Sequence, residues 1–138
     1  MKIKKVAAIY SIAVGIIMIA QWSFFIVMDQ VPELQDEPLR ISFHIAAEFL
    51  TAIALISGGF GLHLDKKWGF SLFLVAIGML SYTIVVSPGY YAEKGEIPFV
   101  LMFAVLWVIT AIFVAFALRK NFSMDDSKKI HEEERTLK

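Results

Sequence analysis

PFVLMFAVLWVITAIFVAFAL, residues 98–118, runs for 21 positions without a charged side chain. As a helix rising 1.5 Å per residue it would span roughly 30 Å, the thickness of a bilayer's hydrocarbon core. A helix packed inside a water-soluble protein is normally apolar on one face only, and this stretch is apolar all round. It therefore predicts a membrane span. Three further apolar stretches precede it, at residues 6–28, 41–63 and 69–87. Lipid offers the backbone no hydrogen-bond partner, so each is expected to be a helix that satisfies its own amides. The predicted fold is an all-α membrane protein, a four-transmembrane-helix antiparallel up-down bundle over residues 1–120, with a polar cytoplasmic tail at 121–138.

Composition supports this and removes alternatives. Hydrophobic residues make up 58% of the chain, against about 45–50% for an ordinary soluble domain. There is no cysteine, which excludes disulfides, thiolate metal sites and thiol redox chemistry. Formal net charge is zero, which argues against a nucleic-acid partner. No GxGxxG, Walker A or CxxC pattern occurs, and no internal repeat is visible. The first apolar block follows Lys2, Lys4 and Lys5 but exceeds a signal-peptide core and lacks an A-x-A-like site, so it is expected to be retained.

Lysine and arginine set the expected orientation. The N-terminal segment, the loop holding Lys66 and Lys67, and the tail from Arg119 onward carry eleven of the thirteen. Only Arg40 and Lys94 fall on the other side. Both termini are thus expected to be cytoplasmic, in a bacterial or archaeal cytoplasmic membrane crossed several times. The outer loops hold Asp29, Glu33, Asp36, Glu37, Glu93 and Glu96. These would favour cations near that face or simply be solvated. Pro32, Pro38 and the Ser87-Pro88-Gly89 run mark expected loop boundaries. The tail from Asn121 on is expected to be a frayed helix or disordered.

Against this background SFHIAAEFLTAIALISGG, residues 42–59, stands out. It places His44 and Glu48 four residues apart, on one face of a helix, where the chain elsewhere places apolar residues. Ionisable groups in a span face the protein interior or a water-filled cavity. Counted from the outer ends of their spans, Gln21 and Glu48 lie about 10 Å deep, Tyr82 about 8 Å and His44 about 5 Å. These four residues are expected to form one buried cluster in the outer half of the bundle. Small residues on the same helix, Ala47, Thr51, Ala54 and Gly58, are expected to supply close helix packing.

Glu48 could be a neutral acid or share a proton with His44, so a ligand or proton site is one reading. The other is a hydrogen-bonded fastener between helices. A metal site is poorly supported, because the His-x-x-x-Glu pair supplies two ligands and Gln21 and Tyr82 are weak donors for a third. His44 and His63 are about 28 Å apart on one helix and cannot both ligate one haem. No catalytic residue set is evident, no cofactor is named by the sequence, and an enzyme is the less favoured reading. The expected function is an accessory or small-ligand-binding membrane protein. The alternative is proton-coupled transport of a small solute through Glu48 and His44, with a membrane-embedded enzyme or metal site behind it. The bilayer is the expected partner, with a second copy or another membrane protein as a further possibility.

Overall fold

The computed structural model describes the backbone of residues 2–136 and the side chains of residues 4–119. The chain forms α1 (Lys2–Val27), α2 (Glu33–Asp36), α3 (Pro38–His63), α4 (Gly69–Glu93) and α5 (Ile97–Thr136). Four of these are long and apolar enough to cross a membrane. They pack in chain order, α1 on α3, α3 on α4 and α4 on α5, which makes the expected all-helical bundle. The short α2 is one turn inside the first connection and leans on α3.

All three reversals between long helices use the same device. Asp29, Asp65 and Gly95 each lie two residues beyond a helix end and have φ of 54°, 55° and 74°. The next amide in each case reaches back five residues: Gln30 to the Phe25 carbonyl (2.9 Å), Lys66 to Gly61 (2.9 Å) and Glu96 to Tyr91 (2.8 Å). This is the Schellman closure, which satisfies carbonyls a helix end would otherwise leave open. It needs a residue that tolerates the left-handed region, which glycine does freely and aspartate with some cost.

Two boundaries differ from expectation. The third span runs to Glu93, past Ser87-Pro88-Gly89. Proline removes one amide donor but has a helical φ. Beyond it the helix is held from outside, as the Tyr91 ring stacks on Phe99 of α5 at 4.7 Å. The α4–α5 loop thus shrinks to Lys94, Gly95 and Glu96. The last helix continues through the polar tail to Thr136, a segment rich in lysine and glutamate, which are good helix formers.

The core holds Leu55 of α3 and Phe73, Ile77 and Leu80 of α4, all fully buried. Glycines bring the backbones together. A Cβ on Gly15 of α1 would lie 2.7 Å from the Ala52 carbonyl oxygen, and one on Gly58 of α3 would lie 2.9 Å from the Phe73 nitrogen. Of the expected small-residue face, Thr51 and Gly58 are buried and Ala54 partly so, while Ala47 is exposed. Ala52 and Gly59, each one position on, make the approach to α1 instead. The bundle closes between α1 and α5 through Tyr10 and Thr110, whose hydroxyl oxygens are 2.7 Å apart. Thr110 gives its proton to the Leu106 carbonyl (2.7 Å), so Tyr10 donates to Thr110. The Tyr10 ring also rests on Phe113, with centroids 4.8 Å apart.

Candidate functional site

Glu48 lies one turn before Thr51 and Ala52 on the buried face of α3 and is only 6% exposed. Two side chains from other helices stand beside its carboxyl group with a proton to offer it, the Trp22 indole of α1 and the Thr83 hydroxyl of α4. His44, one turn toward the start of α3, has Nε2 3.9 Å from Glu48 Oε1. That is too long for a hydrogen bond but close enough for charge to be felt. The His44 ring meets the edge of Trp22, with centroids 5.7 Å apart and planes at 72°. Three helices thus converge on one carboxyl group.

The donors determine what this group can do. Indole only donates, whereas a hydroxyl donates or accepts. Thr83 Oγ1 also lies 3.2 Å from the Met79 carbonyl. With Glu48 ionised, Trp22 and Thr83 both donate to it and the Thr83–Met79 bond is given up. With Glu48 protonated, its own O–H donates to Thr83, and Thr83 donates to Met79. The Thr83 hydroxyl thus has two acceptors to choose between, the Met79 carbonyl and the Glu48 carboxyl group.

Residues 1–130 match a family described as a domain of unknown function, DUF8058. The chain belongs to the DUF8058 family. No curated protein and no solved structure matches it. The DUF8058 match includes all four spans, and with them the whole Glu48 cluster.

The expected cluster of this DUF8058 chain needs correcting at Tyr82. Tyr82 is 72% exposed on the outside of α4 and does not line the cluster. Consecutive residues on a helix point about 100° apart, so depth alone did not fix direction. Thr83, the next residue, is the one that turns inward. Gln21 is half-buried, and its side chain stands beside the Tyr91 hydroxyl. Its neighbour Trp22 stands at Glu48. Thr83 could have been found from the sequence, since it continues the buried series Phe73, Ala76, Ile77 and Leu80 at helical spacing. Trp22 carried no such signal, because an indole in a span resembles a lipid contact.

Among the described residues, no three histidine, aspartate or glutamate side chains converge as a metal site would require. Two ties brace the ends of the DUF8058 bundle. At one end the Lys94 ammonium hydrogen-bonds the Tyr90 hydroxyl and lies 3.7 Å from Glu33 of α2. The Tyr90 hydroxyl, more than Glu33, holds the Lys94 amine above its ordinary range, against slight desolvation. At the opposite end Lys4 of α1 pairs with Asp65 in the α3–α4 loop. That pairing holds the exposed Asp65 carboxyl below its ordinary value.

Proposed function

We propose that this chain is a multi-pass protein of a bacterial or archaeal cytoplasmic membrane, with both termini cytoplasmic, that holds a proton or a small polar ligand at Glu48. The observation that carries the reading is the convergence of Trp22, Thr83 and His44 on one buried carboxyl group. No lysine or arginine lies within ion-pair distance of it among the described residues. A buried carboxylate without a fixed cation is suited to exchange a proton with whatever reaches it. The acidic outer loops supply a field that draws cations toward that end.

The deciding experiment is infrared difference spectroscopy in nanodiscs across about pH 4 to 9, a window covering ordinary and shifted carboxyl titration. A protonated-carboxyl band that changes with pH and vanishes in Glu48→Gln supports the site. A spectrum unaffected by Glu48→Gln at every pH removes it. Proteoliposome proton flux on the same pair of proteins then separates proton movement from static binding.

A second reading is favoured by the helix-to-helix character of the same contacts. In it Glu48 fastens α1 and α4 to α3, and the chain serves as an accessory subunit. Glu48→Gln, which retains hydrogen bonding, would then leave both stability and partner assembly unchanged.

A further inference from the structure

The end of the bundle opposite Lys94 gathers basic groups from two separate parts of the chain. Lys4 binds Asp65 and so docks the start of α1 onto the α3–α4 loop. This brings Lys5 and His63 into the electrostatic reach of the same carboxylate. The loop itself presents Lys66 and Lys67, both exposed. It is a defined turn, closed by the Lys66 amide on the Gly61 carbonyl (2.9 Å) and the Gly69 amide on the Lys66 carbonyl (3.0 Å). Asp65 is the only acid in this group, and Lys4 already occupies it. Lys5, Lys66 and Lys67 have no ion-pair partner among the described residues.

Apolar surface adjoins the charge. The Trp68 ring covers Gly61 so closely that a Cβ there would stand 2.8 Å from a ring carbon. Even so, Trp68 remains exposed, as do Phe60 and Leu64 on the same end of α3. An indole beside basic side chains at the end of a span fits the interface between headgroups and acyl chains. A free phosphate would use only the charged part of this surface, whereas a phospholipid would use both.

The geometry points to a binding site for the headgroup of an anionic phospholipid, formed by Lys5, Lys66 and Lys67, with Trp68, Phe60 and Leu64 against its acyl chains. Charge complementarity selects the anion, and the adjoining apolar surface selects lipid as its source. The site is separate from Glu48 and does not depend on the proton reading.

The test uses the full chain in zwitterionic detergent, with thermal unfolding followed as lipid is added. Phosphatidylglycerol, phosphatidylcholine, inorganic phosphate and polyglutamate are the four probes. Phosphatidylglycerol should raise the midpoint and the other three should not. Each lysine near an anionic surface contributes about fivefold in affinity, so K66Q/K67Q should weaken phosphatidylglycerol binding roughly 30-fold. Both side chains are exposed, so the variant should unfold like wild type without lipid. A K5Q variant, on the other element, should lose about fivefold. Equal response to phosphatidylcholine, or undiminished binding by K66Q/K67Q, overturns the assignment. So does protection by inorganic phosphate alone, which marks a free-anion site, or by polyglutamate, which marks a dock for an acidic protein.

Discussion

Glu48 is the residue on which most depends, and its contacts yield opposite expectations for two substitutions. Glu48→Ala leaves the Trp22 indole without its partner. That should cost about 1–2 kcal/mol, read from unfolding in mixed micelles. Glu48→Gln keeps an oxygen for Trp22 and should cost less than half as much. Equal losses would mean that the cavity left by alanine matters less than the charge. At the far side of the bundle, Tyr10→Phe deletes the hydroxyl that donates to Thr110. Interhelical bonds of this kind average about 0.6 kcal/mol, and a loss far above that would show Thr110 to be poorly satisfied by Leu106 alone. The sequence made Glu48 conspicuous because it breaks an apolar run. It did not show which way Tyr82 and Gln21 point, since depth follows from counting residues while direction follows from which neighbours pack. The two inward residues, Trp22 and Thr83, stand directly beside the two expected ones.

At the scale of the helix, close approach and open space can be told apart by one methyl group. Gly58→Ala pushes a Cβ toward the α4 backbone at Phe73 and should destabilise by about 1–3 kcal/mol. Gly78→Ala on the outer face of α4 meets nothing within 4 Å. It should stabilise by roughly 0.5–1 kcal/mol through helix propensity alone. Gly95→Ala forces a side chain into the left-handed region at φ 74° and should cost about 1–2 kcal/mol. The four long helices were legible because lipid requires about 20 apolar residues in a row. Their ends were not. Proline at 88 has the sequence signature of a stop, but the stacking of Tyr91 on Phe99 that extends α4 beyond it depends on a residue of another helix. The small-residue face was legible in kind and shifted by one position in detail, from Thr51 and Gly58 to Ala52 and Gly59 for the approach to α1.

For the molecule as a whole, orientation and the two end ties are open to direct measurement. The chain has no cysteine, so single thiols give an unambiguous readout. Lys94→Cys should react with an impermeant maleimide on intact cells, and Lys66→Cys only after lysis; the reverse pattern would invert the proposed topology. The ties should respond to pH in opposite directions. Asp65 is held below its ordinary value. Its contribution is therefore complete above the unfolded aspartate range and lost as pH falls through the lower, folded value. Lys94 is held above its ordinary value. Its contribution is complete below the unfolded lysine range and lost as pH rises through the folded value. The gap in midpoint between wild type and Asp65→Asn should thus close only in acid, and that for Lys94→Met only in strong base. Both effects should be small, since exposed pairs are screened by solvent.

The sequential packing of the helices has a consequence for truncation. Among the described residues, α1, α3 and α4 contain most of the buried ones, while α5 buries least and follows the other three in the chain. A chain cut after residue 96 would keep every residue of the α1–α3 and α3–α4 contacts, with Glu48, Trp22 and Thr83 among them. The final span meets the others through Phe99, Phe103, Thr110 and Phe113. Loss of α5 should therefore leave the Glu48 residues together while opening the Tyr10 side of the bundle.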